Sequence, residues 1–345
     1  MTADSTPVVV KKVVKETDNA KSIFIERKDG LPISYQPGQF LHFGFKQMHE
    51  TAYRSYSLST VPEEGVAFTV KEMENGNISR LLQKVQPGEE LNLISVGGKF
   101  VLPSEMGHIK QVFLFAAGSG ITPVYAILKQ LLWHYPEVNV CLVYSNSSRR
   151  STIFYDALLA LQEQYSHRLS IKFIFSDDSN ILAARLSGFG LQELMAQVRK
   201  AEWEQVLVYC CGPVSYMDTI KITLFTEGVK AHQFFMEYFD TASDDMMVPP
   251  PDKEPHRVKV ILGGKEHDIE VQYPDTILSV GVNSGIKMPY SCQSGQCGSC
   301  TARLKSGEVW LMYNEVLTPD ELQQGLILTC MGCPVNGDVV ISYDE

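Results

Sequence analysis

The stretch Gln111–Leu132, "QVFLFAAGSGITPVYAILKQLL", changes period half-way along. After Gln111 its next six residues are apolar throughout, as in a strand covered on both faces of a sheet. Its last residues repeat apolar side chains at helical spacing. Between the two, Gly118 and Gly120 let the backbone come close to an anion, Thr122 is placed to cap the helix, and Pro123 suits its first position. A strand, a glycine turn and a helix in that order aim free N–H groups and the positive end of a helix dipole at a pyrophosphate.

Downstream the same texture repeats. "VNVCLVYS" (138–145), "LSIKFIFS" (169–176) and "QVLVYCC" (205–211) are further apolar runs, separated by helical segments such as "IFYDALLALQEQY" (153–165) and "SYMDTIKITLFTEG" (215–228). Strands alternating with helices predict a doubly wound parallel sheet that binds a nucleotide at the carboxyl ends of its strands. "CCGPVSYM", Cys210–Met217, closes the fourth of these strands, so Cys211 would face a bound nucleotide; a buried core thiol fits an isolated cysteine equally well.

Upstream, to about Pro103, short β-rich runs sit between turns, spaced as in an antiparallel barrel. In "RSYSLST" (54–60), alternation puts Arg54 and Tyr56 on one face and Ser55 and Ser57 on the other, a pattern able to hold a flat aromatic ligand and its phosphate. "GNIS", Gly76–Ser79, precedes the helix-like "RLLQKV" and is a second anion site of the same kind.

The C-terminal part begins after "DTASDDMMVPPPDKEPHR" (240–257), whose three consecutive prolines predict an extended, semi-rigid connector. Beyond it, "SCQSGQCGSC" (291–300) sets Cys292, Cys297 and Cys300 at Cys-x4-Cys-x2-Cys, and Cys330 follows 30 positions later. This is the plant-type [2Fe–2S] spacing. Structural zinc usually brings two well-separated close pairs instead. The residues between the cysteines are mostly small, as a loop wrapped on an inorganic cluster requires, because its N–H groups must reach the sulfurs. Cys333 is expected to be a free thiol nearby, and Cys141 an ordinary buried strand residue.

Composition bounds the rest. The 345 residues allow two or three domains, and 44% hydrophobic residues supply a core for each. A formal charge of −10 repels nucleic acid and anionic lipid, so neither is an expected partner. No apolar run reaches the roughly 18 residues that span a bilayer, and the N-terminus lacks the pattern of a signal peptide. A cytoplasmic protein is expected, and eight cysteines in a reducing compartment point to metal or catalysis rather than disulfides.

Taken together, "RSYS", the glycine–x–x–serine stretch, "GSGITP", "CGP" and a late Glu–x–aromatic, "MEYF" (236–239), resemble the ferredoxin–NADP reductase superfamily over about residues 8–240. From about Arg257 the chain resembles plant-type ferredoxins. The reductase-then-ferredoxin order is similar to reductase components of multicomponent oxygenases, in particular the phenylacetyl-CoA epoxidase group; related chains serve ring hydroxylases, ketosteroid hydroxylases and fatty-acyl desaturases. The resemblance implies that Arg54 contacts a flavin phosphate, Tyr56 packs on the isoalloxazine and Ser57 hydrogen-bonds near flavin N5. It also implies that Gly76 and Ser79 bind the FAD pyrophosphate, while Gly118, Gly120, Thr122, Pro123, Cys211, Gly212 and Pro213 hold NAD(P)H. Glu237 and Phe239 would flank the reactive rings, and Ser57, Cys211 and Glu237 would be catalytic. Cys292, Cys297, Cys300 and Cys330 would ligate the cluster.

One departure is visible. Relatives often carry Gly-Asn-Arg after the second nucleotide strand, where this chain reads "YSNSSRRSTIF" (144–154). Arg149 and Arg150 would reach a 2′-phosphate, and Asp177 and Asp178 would oppose it, so the nucleotide choice stays open with a lean to NADPH. FMN is a lesser alternative to FAD. The expected architecture is a flavin-binding barrel (1–105), an NAD(P)-binding domain (106–240), a linker (241–256) and a β-grasp ferredoxin domain (257–345). The expected function is NAD(P)H-dependent electron transfer through FAD and a [2Fe–2S] cluster to an oxygenase or hydroxylase protein, with a ring epoxidase or hydroxylase as the first expectation and a desaturase as the second. A cluster-based redox sensor is the rival reading, and it would need an output domain that the sequence does not offer.

Overall fold

The upstream β-rich runs become six strands, separated by turns at glycine or at polar residues. The structure is a computed structural model and describes residues 5–46, 51–74, 76–180, 184–239 and 247–344. Strands β1 (Thr6–Thr17), β2 (Ala20–Arg27), β3 (Phe40–Lys46), β4 (Thr51–Ser57), β5 (Val66–Lys71) and β6 (Glu90–Gly97) form one sheet in the order β4-β3-β6-β1-β2-β5. An antiparallel bridge between Leu58 and Phe68 joins the two ends of that order, so the sheet closes as a barrel. Its interior holds Ile23, Leu41, Phe43 and Phe68, all fully buried. A short helix, α1 (Asn77–Leu82), follows β5.

The second sheet has five strands: β7 (Gln111–Ala117), β8 (Asn139–Asn146), β9 (Leu169–Phe175), β10 (Val206–Cys211) and β11 (Phe234–Glu237), ordered β11-β10-β7-β8-β9 and parallel throughout. Along β7, Val112, Leu114 and Ala116 enter one core while Phe113 and Phe115 enter the other. Both faces are therefore covered, which is why the run shows no polar alternation. Helices α2 (Ile121–His134), α3 (Tyr155–Gln164), α4 (Gly188–Val198) and α5 (Val214–Thr226) connect the strands. The end of α2 is closed by a side chain from far along the chain. Arg168, 8% exposed, points Nη1 at the carbonyls of Leu131, Tyr135 and Val138 (3.5, 3.2 and 3.3 Å) and Nη2 at that of Leu132. A guanidinium thus takes up carbonyls that a helix end leaves without partners.

The third sheet contains β12 (His256–Leu262), β13 (Lys265–Val271), β14 (Thr301–Leu311), β15 (Leu326–Leu328) and β16 (Gly332–Ser342), in the order β13-β12-β16-β14-β15. Gly263 and Gly264 turn the first hairpin with φ of +61° and +71°, the left-handed pair that a two-residue hairpin turn needs. β12 and β16 run parallel while the other pairs are antiparallel, and α6 (Ile277–Asn283) packs beneath: a β-grasp arrangement.

Two compact units result, one containing the first two sheets up to Phe239 and one containing the third. The predicted connector gains an anchor that the sequence did not indicate. Residues 240–246 lie outside the described residues, but the proline-rich remainder is stitched to the third sheet. Val248 donates its N–H to the Met312 carbonyl (2.8 Å) and accepts from Trp310 Nε1 (2.9 Å), and Asp252 accepts from the Asn336 N–H (2.8 Å) and pairs with His256 (2.7 Å). Proline cannot donate a backbone hydrogen bond, so an edge-like run anchored by its neighbours suits it.

Candidate functional site

The two glycine motifs of the parallel sheet meet back to back. A Cβ on Gly120 would stand 2.1 Å from the Cys211 carbonyl oxygen, and one on Gly212 would stand 2.9 Å from Ala117 Cβ. Only glycine fits either place. Gly118 has φ of +54°, and the space above it is open apart from Lys71 Nζ, 3.8 Å from where a Cβ would lie. Tyr144 and Tyr216 brace this turn from below, donating to the carbonyls of Gly118 (3.0 Å) and Ala116 (3.2 Å). A cradle that excludes side chains and carries an ammonium above it fits a pyrophosphate.

The start of α2 differs from the expectation. A 3-10 turn, Gly118–Gly120, runs directly into a helix that begins at Ile121, and the N-cap is Gly120. Thr122 is therefore inside the first turn, where its hydroxyl donates to the Ser119 carbonyl (3.0 Å), and Pro123 is the third helical residue rather than the first. Proline is tolerated there because first-turn N–H groups have no helical partner. Pro213 is the N-cap of α5.

Ser57, Cys211 and Glu237 come together although they are far apart in sequence. β10 and β11 pair with Cys211 opposite Glu237, and Ser57 Oγ donates to Glu237 Oε2 at 2.8 Å. The strand that delivers Glu237, "FFME", is too short to announce itself in the sequence. It is four residues long, and its glutamate is marked in the sequence by the Glu–x–aromatic pattern and not by any strand period. Burial pushes the Glu237 carboxyl up to about 8, the Ser57 hydrogen bond pulling weakly the other way. Cys211 is fully buried, and burial first, then the nearby Glu237, pushes its thiol far up. The trio joins a carboxyl that burial makes reluctant to ionise, a hydroxyl and a thiol.

On β4 the exposure pattern is not a clean alternation. Arg54 and Ser55 are both exposed, Tyr56 is half-buried and Ser57 is buried. Tyr56 packs against Phe68 at 5.5 Å, with its phenol pushed up to about 12 by burial. Arg54 turns Nη1 onto the Tyr53 carbonyl (2.7 Å). Gly76 is the N-cap of α1, and Ser79 Oγ is already engaged, accepting from the Met73 N–H (3.1 Å) and donating to the Gly76 carbonyl (3.0 Å). Ser79 thus shapes the loop. Phe239 is 49% exposed just after β11.

Arg149 and Arg150 lie in a 3-10 turn beyond β8. Arg149 sits over the Tyr155 ring (4.6 Å), and Arg150 pairs with Asp18 (2.6 Å), both ends of that pair being well exposed. The two aspartates beyond β9 are engaged in their own loop: the Asp177 N–H is held by the Ser147 carbonyl (3.1 Å), and Asp178 Oδ1 accepts from the Asn180 N–H (2.8 Å).

In the other unit, the four expected ligands converge as free thiols. Cys292 lies in hydrogen-bonding contact with the thiols of both Cys297 and Cys330, and Cys300 with that of Cys330. Backbone N–H groups of Cys292 and Ser299 reach Cys297 Sγ (both 3.5 Å), and that of Ser294 reaches Cys292 Sγ (3.4 Å). The loop makes this possible with Gly295 at φ +75°, where a Cβ would meet the Tyr313 carbonyl at 2.9 Å. Four soft sulfurs ringed by N–H donors fit an iron–sulfur cluster. Cys333 is a fifth free thiol, buried, with burial pushing it up to about 11. Cys141 is buried on β8.

Known proteins share this arrangement. Family models for an oxidoreductase FAD-binding domain, an oxidoreductase NAD-binding domain and a 2Fe-2S iron-sulfur cluster binding domain match residues 7–101, 114–221 and 260–335. The ferredoxin reductase component of 3-ketosteroid-9-alpha-monooxygenase from Mycolicibacterium smegmatis is 32% identical over 352 residues, covering 97% of this chain and 96% of that one. The chain belongs to the family of oxygenase reductase components. A component of 1,2-phenylacetyl-CoA epoxidase from Escherichia coli is 30% identical, covering 98% of this chain and 97% of that one. Among solved structures, phthalate dioxygenase reductase superposes with a TM-score of 0.60 at 22% identity, covering 98% of each chain, and has the same fold.

This reductase is thus an NAD(P)H oxidoreductase with FAD, NAD(P)H and [2Fe–2S] as its cofactors. No helix among the described residues is long and apolar enough to cross a membrane. Sequence reasoning misses Lys71, Tyr144 and Tyr216, because nothing local marks a side chain that acts on a loop tens of residues away. The contact at Gly120 yields a prediction. Gly120→Ala forces the turn off Cys211, destabilising the reductase by about 1–3 kcal/mol and weakening NAD(P)H binding while leaving FAD content unchanged. Thermal melts and nucleotide titration check it; unchanged nucleotide affinity would show that the turn does not hold the dinucleotide.

Proposed function

We propose that this reductase draws electrons from NAD(P)H at the Ser57–Cys211–Glu237 constellation and passes them through the cluster to a separate oxygenase or hydroxylase, one that epoxidises or hydroxylates a ring. The observation that carries the reading is the Ser57–Glu237 hydrogen bond of 2.8 Å, which brings a barrel strand and a nucleotide-sheet strand to one point. When bound, FAD accepts two electrons as a hydride and releases them singly to the cluster.

The protein's share is positioning and electrostatics. The Gly118–Gly120 turn, Gly212 and Pro213 seat the dinucleotide, with Thr122 and Pro123 shaping the helix start and Lys71 offsetting the phosphate charge. Tyr56 and Phe239 flank the flat rings, Arg54 takes a flavin phosphate, and Gly76 and Ser79 form the loop for the FAD pyrophosphate. Glu237 holds its proton beside Ser57 Oγ, ready to exchange it as charge on the neighbouring ring changes. Cys211, buried in the core, backs Glu237 with an uncharged thiol. Cys292, Cys297, Cys300 and Cys330 ligate the cluster. The barrel, nucleotide and cluster domains are bounded near residues 105, 240 and 257. The Arg150–Asp18 pair is exposed at both ends, so solvent screens it and a 2′-phosphate can displace it, which favours NADPH. A cytoplasmic location fits these cofactors.

Anaerobic titration with NADPH and then NADH, followed by visible absorbance, tests this. The expected result is bleaching of flavin and iron–sulfur bands together, at lower NADPH than NADH. No bleaching with either nucleotide overturns the proposal; flavin bleaching alone removes the internal relay.

A further inference from the structure

α2 carries a lysine on the face it turns toward the barrel. Lys129 is 3% exposed. Its Nζ donates to the Ser59 carbonyl (3.0 Å) and to Glu64 Oε2, and it lies 4.2 Å from the centre of the Tyr125 ring. Burial lowers its affinity for a proton, while Glu64 and then Glu16 raise it. A buried ammonium is tolerated only where acceptors are fixed around it; Tyr125 is on α2 itself, so the contacts with Ser59 and Glu64 are the ones that constrain where the helix can be.

The acceptors belong to the flavin side. Ser59 is two residues beyond Ser57 on the same run of chain. Its hydroxyl accepts from Thr69 Oγ1 (2.8 Å), Thr69 contacts Ser22 (2.7 Å), and Ser22 donates to Glu16 (2.7 Å), so a buried polar chain crosses the barrel wall behind the lysine. A second contact, His134 Nε2 to Glu63 Oε1 (2.9 Å), links the end of α2 to the turn that holds Glu64. Ile127 Cδ1 comes within 3.0 Å of the place a Cβ would take on Gly38, so the helix is pressed close to the barrel there too. The N-terminus of this same helix bears the Gly118–Gly120 turn. Lys129 is eight residues from Ile121, about 12 Å along a rigid helix.

We propose that Lys129 is a positioning residue for hydride transfer: its clamp on Ser59 and Glu64 fixes the dinucleotide-bearing helix at a set distance from the flavin-facing Ser57. This rests on the hydride-transfer reading above, because the two ends it joins are the two sides of that reaction. Contact of both reactants with a rigid frame matters because displacements of an ångström can slow a reaction about 100-fold.

The test compares wild type with Lys129→Met, which keeps the bulk and removes the ammonium, and with Glu64→Gln, which lies on a partly exposed turn and leaves the fold intact if the first variant does not assemble. Stopped-flow reduction of the flavin at saturating NADPH gives the limiting rate; nucleotide titration gives Kd; hydrogen exchange on α2 and on residues 59–65 reports the clamp without any turnover. The expectation is a limiting rate lower by roughly tenfold or more in Lys129→Met, with a smaller loss in Glu64→Gln. Kd and bound FAD should stay near wild type, with faster exchange confined to the clamp. A limiting rate equal to wild type in the folded variant overturns the proposal. So does a rate loss that disappears once activity is divided by bound FAD, which marks a merely structural lysine. Failure of wild type to reduce its flavin would instead sink the hydride-transfer reading itself.

Discussion

Cys297→Ser protein should reduce ferricyanide close to the wild-type level and lose reduction of cytochrome c to background. The two dyes separate the two ends of the relay: ferricyanide takes electrons at the flavin, cytochrome c at the cluster. Cys297 is closely enclosed in hydrogen bonds, with the N–H groups of Cys292 and Ser299 both at 3.5 Å and the Cys292 thiol against it. A serine hydroxyl is a hard, weakly acidic ligand where a soft thiolate is required, so the cluster should be lost and its visible band with it. The flavin half should survive because the cluster sheet and the first two sheets are separate compact units with separate cores. Loss of both dye activities would mean that the cluster domain holds up the rest of the chain.

Glu237→Gln is expected to make the protein slower and, in alkali, more stable. Removing an exchangeable proton at a catalytic position slows a reaction by about 100-fold or more, and glutamine keeps the hydrogen bond from Ser57 while giving up the acid. The stability change follows from the carboxyl being raised to about 8 from its ordinary 4.5. Between those values the unfolded chain has released its proton and the folded one has kept it, so rising pH favours unfolding. The penalty grows from pH 4.5 and levels off above about pH 8. Glutamine mimics the protonated form and escapes the penalty, by an amount on the order of 2 kcal/mol after allowing for the partial exposure of this site. Melting temperatures of wild type and variant should coincide near pH 4 and diverge by pH 9, the variant melting higher. Equal melting at both extremes would mean that folding leaves the Glu237 carboxyl at its ordinary value, and an unchanged rate of flavin reduction would remove it from the chemistry.

What the sequence made legible was whatever the backbone must do locally. Gly118, Gly120 and Gly212 stand where the turn needs glycine, and Cys292, Cys297 and Cys300 stand at intervals that one loop can close, so composition and spacing announced both sites. Three kinds of feature stayed hidden. The first was a strand too short to show a period, β11, although it delivers Glu237 to Ser57. The second was the helix boundary at Ile121, where a 3-10 turn moved the cap forward and left Thr122 and Pro123 inside. The third was every side chain that works at long range: Lys71 over Gly118, Lys129 on Ser59, Arg168 under α2, and Trp310 on Val248. Each looks like an ordinary surface or core residue until the fold brings its partner, and the proline run read as an extended, semi-rigid connector is anchored by just such contacts.

The thiols that bind no metal have a bearing on wear. Reduced flavins also meet dioxygen, and peroxide made beside a protein attacks thiolates that solvent can reach. Cys141, Cys210, Cys211 and Cys333 are all buried, and burial pushes each of them up, so all four are held as thiols. The two cysteines that are not buried, Cys292 and Cys297, both lie in the cluster loop, so ageing by oxidation should begin there, with the rest of the chain outlasting it.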